Sequence, residues 1–159
     1  MRNFTVACFQ FTKLTLDPEG GELIEGVPYR VAFEAAYTDG QIGYGEISID
    51  NGGNGEPTRV ATMHRGRGVF EYTPTKDRGR TVVFTAKNGE KAKAKLSKAG
   101  KDGVALRVVR NDSVWDVTVH IAGTARTDTL GISIMHDGRL RYFNELTDTV
   151  CHFSIKDCD

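Results

Sequence analysis

The chain has 159 residues, of which 39% are hydrophobic and 26% are charged, and both values lie near the averages of globular proteins. They exclude wholesale disorder, and no apolar run approaches the roughly 18 residues that cross a bilayer, so membrane insertion is not predicted. The formal net charge is zero, but residues 1–58 carry −6, residues 59–110 carry +10 and residues 111–159 carry −4.

Alternation of apolar and polar residues, which is typical of strands with one buried face, recurs along nearly the whole chain. The clearest example begins at Tyr29, after which every second residue through Tyr37 is apolar or aromatic. In chain order, strands are predicted at Phe4–Leu16, Tyr29–Thr38, Ile42–Ile49, Val69–Thr73, Thr81–Lys87, Glu90–Ser97, Val104–Val109, Val114–Ala122, Leu130–Met135, Leu140–Phe143 and Val150–Ile155.

Turn residues separate several of these strands. Asn-Gly and Asp-Gly pairs supply the positive φ that tight hairpin turns need. They predict hairpins at Thr38-Asp39-Gly40, Lys87-Asn88-Gly89 and His136-Asp137-Gly138. Many short strands with turn signals about every 8 to 12 residues indicate an all-β, antiparallel sandwich or barrel.

The segment Lys91–Leu96 alternates lysine with alanine and leucine, and a helix is an alternative because all three residue types favour helices. We predict a strand, since the segment follows an Asn-Gly turn. Lys91, Lys93 and Lys95 would then project from one face, as charged side chains do on exposed edge strands that resist aggregation.

Residues Ser97–Gly103 combine two glycines with three charged residues, which is the composition of a surface linker or long loop. We therefore predict two β modules, a sandwich domain over residues 1–97 and a smaller β domain over residues 104–159. The second is small for an independent core, so we expect it to pack against the first domain or against a partner.

From Gly20 to Leu96 the pattern resembles the bacterial Ig-like modules of invasin-type adhesins and, in layout, filamin-type Ig repeats. The run Gly26-Val27-Pro28-Tyr29-Arg30-Val31-Ala32-Phe33 is similar to a strand of those modules. Gly68–Pro74 is similar to their hairpin that ends in Tyr-x-Pro, and Asp77–Ala86 is similar to the strand that follows it. The resemblance implies an Ig-like antiparallel β-sandwich.

Thr81 stands where these families usually have tyrosine, which removes the hydroxyl of a tyrosine corner. A weaker likeness links the chain to small Ig-like proteins carried on bacterial conjugative transposons. The resemblance covers about half of the chain. Ig-like folds serve adhesion, scaffolding, carbohydrate binding and virion decoration alike, so the fold alone does not choose among them.

The loop from Asp50 to Glu56 carries oxygen-bearing side chains at spacings that a calcium ion could use, with Asp50, Asn54 and Glu56 as candidate ligands. It lacks the full EF-hand pattern. A polar loop between strands, of the kind that Gly, Asn and Asp favour, is the alternative. We predict no cofactor elsewhere in the chain.

Basic residues cluster in the middle third, where Arg59, Arg65, Arg67, Arg78 and Arg80 could form a face that meets phosphates or an acidic partner. No aromatic ladder or nucleic-acid motif accompanies them, so nucleic-acid binding is not predicted. The alternative is a solvated surface, or one whose arginines pair with the acidic residues of the first third.

Three cysteines, Cys8, Cys151 and Cys158, allow at most one disulfide within the chain and form no CxxC pair for a metal. Three reduced thiols are the alternative. Cys151 beside His152 does not predict a catalytic dyad, because neighbours in a strand point to opposite faces. No GxSxG or HExxH motif is present, and we predict a protein that is not an enzyme.

The sole tryptophan, Trp115, shares a strand face with Val117, Val119 and Ile121, which predicts that it forms the core centre of the second module. A platform for stacking sugars is the alternative. On the same strand His120 falls on the polar side, and we expect it, like His136, to face solvent.

These observations predict an Ig-like module for protein–protein contact, adhesion or structural spacing on a surface, with a protein partner whose identity the sequence does not give. A structural component of a virion or other assembly is the alternative, and a homo-oligomer would fit it. A carbohydrate-binding module is a lesser alternative. We expect an extracytoplasmic or virion-surface location rather than a cytoplasmic one.

Overall fold

The computed structural model describes residues 12–50, 56–75, 79–127 and 129–156, which form an all-β protein of antiparallel sheets. This confirms the predicted fold class. The twelve strands within the described residues are β1 Thr12–Pro18, β2 Tyr29–Tyr37, β3 Gly45–Ile49, β4 Thr58–Ala61, β5 Arg67–Tyr72, β6 Thr81–Ala86, β7 Lys91–Lys95, β8 Gly103–Asn111, β9 Val114–Ala122, β10 Leu130–His136, β11 Arg139–Leu146 and β12 Val150–Lys156.

The strands pair into four sheets among the described residues: β1-β2-β5, β4-β3-β6-β7, β12-β9-β8 and the two-stranded β10-β11. A short 3₁₀ helix, Gly123–Thr127, follows β9. No helix among the described residues has the length and apolar character that spanning a lipid bilayer requires.

The described residues group into two compact units. The N-terminal unit lies within Met1–Asp17, Val31–Phe70 and Gly79–Leu96, and the C-terminal unit lies within Pro18–Arg30, Glu71–Arg78 and Ser97–Asp159. The chain thus changes unit at the start of the predicted linker, although two earlier segments also belong to the second unit. Whether residues 1–97 and 104–159 fold as separate domains stays a prediction.

Apolar alternation buries the core of the N-terminal unit. In β2, Val31, Phe33 and Ala35 are buried, and in β6 Val82 and Phe84 are buried, while the residues between them are partly exposed. The rings of Phe33 and Phe70 lie 6.4 Å apart in a tilted arrangement. Burial of side chains this large is the dominant favourable term in folding.

Most predicted strands are present, with ends that differ by a few residues. Tyr29–Thr38 is β2. The first predicted strand, Phe4–Leu16, is seen only as β1, because its residues through Phe11 lie outside the described part. The short strand β4 was not predicted, since Thr58–Ala61 shows no clear alternation and is mostly exposed.

The predicted turns form, but one of them does not join strands of one sheet. The Asn88-Gly89 turn joins β6 to β7, and the Asp137-Gly138 turn joins β10 to β11, with positive φ at both Asp137 and Gly138. At Gly40 the chain also turns, with its N–H donating to the Tyr37 carbonyl at 2.9 Å. However, β2 and β3 belong to different sheets, so the predicted pairing there is limited to the bridge Ala36↔Ile42.

The lysine-rich segment is a strand, as predicted. β7 lies at the edge of its sheet, with Lys91, Lys93 and Lys95 exposed and Ala92 buried between them. The positive charges therefore disfavour pairing of this exposed backbone edge with a strand of another chain.

A tyrosine hydroxyl holds a corner of the C-terminal unit, although not at the position that the resemblance suggested. The hydroxyl of Tyr29 accepts the Ile24 N–H at 2.8 Å and donates to the Glu22 carbonyl at 2.8 Å. Because burial disfavours the phenolate, it raises the pKa of Tyr29.

Candidate binding surface

The core of the C-terminal unit is one face of the sheet β12-β9-β8. Val117, Val119 and Ile121 on β9 are buried, and the antiparallel register sets Cys151 and Phe153 of β12 beside them on the same face. Since both strands alternate, this face is apolar along its full length.

The β10-β11 hairpin covers part of that face. Its inward side chains Leu130, Ile132 and Leu146 pack against the β9 core, and the Tyr142 ring stacks on Phe153 with centroids 5.2 Å apart. A two-stranded ribbon is narrower than the three-stranded sheet beneath it. The apolar face of the edge strand β8 is therefore left incompletely covered.

The uncovered part is an apolar groove of about 380 Å³. On β8, Leu106 is 39% exposed and Val108 is 40% exposed. Seven of the eight side chains that line the groove are apolar, and the full set is Leu106, Val108, Trp115, Val117, Ile132, Ser133, Ile134 and Ile155. Because Ile132, Ser133 and Ile134 are consecutive, it is the backbone edge of β10 that borders the groove.

Trp115 does not form the core centre, so that prediction was wrong. The indole is only partly buried and lies at one end of the groove, because it pairs with Arg110 near the turn between β8 and β9. The Arg110 guanidinium carbon lies 5.3 Å from the ring centroid, within the range of a cation–π interaction. One face of the indole is thus already occupied by a cation.

A second apolar surface lies on the outer face of the β10-β11 hairpin. Gly131, Ser133 and Met135 alternate with the inward residues, and the register sets Leu140 opposite Met135 and Phe143 opposite Ser133. Met135 and Leu140 are each 57% exposed, and Phe143 is 60% exposed. Three neighbouring large apolar side chains are therefore exposed to solvent, which is typical of an interaction surface.

The opposite face of the β12-β9-β8 sheet is polar, and its side chains bond across strands. Thr118 Oγ1 lies 3.0 Å from His152 Nδ1, and Arg107 donates to Glu71 at 3.2 Å. His120 lies on this polar side, as predicted, but it is only partly exposed. Burial, then the neighbouring His152 and Arg107, lower the pKa of His120.

Asp116 belongs to the same polar face. Ser154 Oγ and Asn111 Nδ2 both donate to its carboxylate, and these two hydrogen bonds lower the pKa of Asp116. The bonds link the end of β8 and the strand β12 to β9. Sequence alone does not reveal them, because Asp116 and Ser154 are 38 residues apart.

Two of the predicted basic-face residues pair with acids. Arg59 lies 3.0 Å from Glu46, and Arg67 lies 2.9 Å from Glu34. Both glutamates lie within residues 1–58. These two arginines therefore pair with acidic residues of the first third, which was the alternative to a binding face. Arg65 lies in a tight turn with φ of 48°.

The predicted basic face also includes Arg80 and Arg78. Arg80 precedes β6, where its carbonyl accepts the Leu96 N–H at 2.9 Å. Arg78 lies outside the described residues. The basic face as a binding site stays a prediction.

The calcium loop lies largely outside the described residues. Asp50 and Glu56 flank the gap, and Asn54 falls within it. Among the residues that the structure describes, no group of three or more His, Cys, Asp or Glu side chains is placed to hold a metal ion. The calcium site stays a prediction.

Of the three cysteines only Cys151 is described, and its thiol is free and donates to the Asp148 carbonyl at 3.3 Å. Cys8 and Cys158 lie outside the described residues, so the predicted disulfide stays a prediction. Cys151 packs against the apolar core while His152 bonds Thr118 on the other face, as alternation in a strand requires.

Comparison with known protein families finds none that matches this chain, and comparison with curated proteins finds no match either.

Proposed function

We propose that the chain is a non-enzymatic, Ig-like β-sandwich module that acts in protein–protein contact, as an adhesion or spacing element on a surface. The observation that carries the proposal is the incomplete covering of the C-terminal unit. An apolar groove on one side of the β10-β11 hairpin and three exposed apolar side chains on its other side form a surface that a partner would bury.

The titratable side chains of the polar face support a structural role for that face. Glu71 with Arg107, Thr118 with His152, and Asp116 with Ser154 hold neighbouring segments together. The hydrogen bonds that Ser154 and Asn111 donate to the carboxylate account for the lowered pKa of Asp116.

Of the two further candidates, the structural component of a virion or other assembly is favoured by the same apolar surface, since such proteins bury it against copies or neighbours. The carbohydrate module is less well supported. A sugar stacks on a free aromatic face, and Arg110 already lies over one face of Trp115.

The test is capture of a partner by the purified full chain, followed by affinity measurements with that partner. Val108→Glu places a charge in the groove, whereas Met63→Glu makes the same kind of change at a side chain of the N-terminal unit that is 80% exposed. We expect Val108→Glu to weaken binding at least about tenfold, as for a disrupted interface centre, and Met63→Glu to leave it unchanged.

Circular dichroism and urea unfolding of both variants control for loss of fold. A partner that binds wild type and Val108→Glu equally would show that contact does not use the groove. Absence of any specific partner in extracts of the source would contradict the proposal as a whole.

A further inference from the structure

We propose that the groove binds an extended segment of a partner protein, which pairs with the free edge of β10 as an added strand and lays alternate apolar side chains over β8. This assignment rests on the proposed function and specifies the form and the chemistry of the partner.

The two layers of the C-terminal unit differ by one strand. The sheet β12-β9-β8 has three strands, whereas the hairpin that covers it has two. The sheet therefore continues beneath and past the free edge of β10, where Leu106 and Val108 on β8 are 39% and 40% exposed. A strand beside β10, at the usual spacing of about 4.8 Å, would lie over these side chains and fill the groove of about 380 Å³.

The free edge of β10 presents unpaired backbone groups to such a strand. Asp137 and Gly138 both have positive φ, so their tight turn makes His136 and Arg139 a hydrogen-bonded pair. Because backbone groups alternate in direction along a strand, Ser133 directs its N–H and carbonyl away from β11. The Ser133 side chain belongs to the outer face, yet Ser133 lines the groove, which agrees with this direction of its backbone.

Charged side chains commonly disfavour strand addition at exposed edges. The eight edge strands of the described sheets are β1, β5, β4, β7, β8, β12, β10 and β11. Seven carry at least one Asp, Glu, Lys or Arg, and among these described edges β10 alone, Leu130–His136, carries none. On the neighbouring edge the Leu106 N–H already donates to the Gly20 carbonyl at 3.0 Å. An entering strand therefore finds its backbone partners on β10.

Charge around the groove defines the chemistry of the segment. None of the eight described residues that line the groove ionises, so the inward side chains of the segment are uncharged and apolar at every second position. At the Trp115 end, Arg110 lies over the indole and Lys156 follows Ile155, whereas the adjoining turn contributes one acid, Asp112. This end is net positive, and a carboxylate on the segment complements it.

The β10 edge of a second copy does not fit this site. Each copy has its own β8 strand beneath its β10 edge, so two such edges at pairing distance would place both β8 strands in the same space. The segment that enters must have no layer of its own beneath it, as in an extended tail or an exposed loop of another protein.

The experiment is a fluorescence titration of the purified full chain with synthetic peptides. Trp115 is the sole tryptophan and lines the groove, so its emission reports occupancy directly. The peptides are as long as β10, which has seven residues. In them valine, isoleucine or leucine alternates with threonine, and an aspartate is added at either end. We expect saturable binding, weakened about threefold when lysine replaces the aspartate.

Two variants locate the binding. Val108→Glu places a charge beneath the added strand and should weaken binding at least about tenfold, while Met63→Glu, at an exposed side chain of the N-terminal unit, should leave it unchanged. Circular dichroism and urea unfolding of both variants control for loss of fold. Equal binding by the two variants would show that the peptides do not occupy the groove.

Strand pairing is tested through backbone N–H groups. Only alternate N–H groups of a strand face one neighbour, so each peptide is made in two forms that are N-methylated on the two alternate sets of residues. One form should lose binding at least about tenfold and the other should retain it. Ser133→Pro removes the N–H that faces the groove and should weaken binding likewise. Equal affinities of the two methylated forms would rule out strand addition.

Failure of every peptide to change the Trp115 emission at about 1 mM would overturn this proposal. So would sedimentation of the chain alone at twice its 17.5 kDa mass if Ser133→Pro abolished that dimer, because the edge would then belong to a second copy. Protein contact through the groove would still be decided by partner binding to Val108→Glu and Met63→Glu, so the two proposals fail by different results.

Discussion

The two units of the chain are built from the same alternating strands and differ in how completely their apolar faces are covered. In the N-terminal unit Val31, Ile47, Val82 and Phe84 have no exposed surface. Among the described residues, seven large apolar side chains of the C-terminal unit are more than a third exposed, against three of the N-terminal unit. Alternation decides which face of a sheet is apolar, whereas the width of the facing sheet decides whether that face is buried.

The largest expected loss of stability is in the fully buried core of the N-terminal unit. Phe84→Ala should lower the free energy of unfolding by about 3 to 5 kcal/mol, because it removes a fully buried ring that close packing cannot replace. Urea unfolding followed by circular dichroism measures this. Met63→Ala, at an exposed side chain, should stay within about 0.5 kcal/mol of wild type. A loss below about 1 kcal/mol for Phe84→Ala would contradict the tight core.

A smaller effect is expected at the tyrosine corner. Tyr29→Phe keeps the ring but removes the hydroxyl, so the buried Ile24 N–H loses its partner at a cost of about 1 to 3 kcal/mol. Hydrogen exchange at the Ile24 amide should quicken together with the loss of stability. Unchanged exchange at Ile24 would show that the corner does not depend on this hydroxyl.

Trp115→Ala tests the incompletely covered core of the C-terminal unit. A fully buried tryptophan would cost about 3 to 5 kcal/mol, but for the partly exposed indole beside the groove we expect about 1 to 2 kcal/mol. Urea unfolding by circular dichroism is suitable, since the variant has no tryptophan left to report by fluorescence. A loss as large as that of Phe84→Ala would mean that both units bury their centres equally.

The smallest effect is a dependence on pH in the C-terminal unit. The pKa of His120 is lowered from its ordinary value of 6.5, so folding favours the neutral ring. Its contribution to stability is therefore fully present above pH 6.5 and is lost as the pH falls through the lowered pKa.

Urea midpoints between neutral and mildly acidic pH measure this loss, and His120→Gln should reduce it. His136→Gln, in the hairpin turn, is the control. Equal slopes for wild type and His120→Gln would assign the dependence to other groups.

Strands and turns could be predicted from sequence because their signals are local. The alternation that starts at Tyr29 and the glycines at positions 89 and 138 identify elements within a few residues. The exposed strand β4 has no such signal. That β2 and β3 enter different sheets also could not be predicted, since pairing depends on partners far along the chain.

The candidate surface was harder to predict for the same reason. The pattern placed Trp115 on the apolar face correctly, but its burial depends on how far the β10-β11 hairpin reaches across β8. The pairing of Arg67 with Glu34, 33 residues away, likewise follows from the fold and not from the local sequence.

The order of strands in the β12-β9-β8 sheet has a consequence during synthesis. β9 pairs with β8 through a tight turn as soon as both have left the ribosome, but its other neighbour, β12, begins at Val150, after the whole β10-β11 hairpin. At a synthesis rate of about 5 to 20 residues per second, roughly 1 to 6 seconds pass between the addition of Ala122 and that of Val150. Throughout that interval one edge of β9 stays open and is able to pair with another chain.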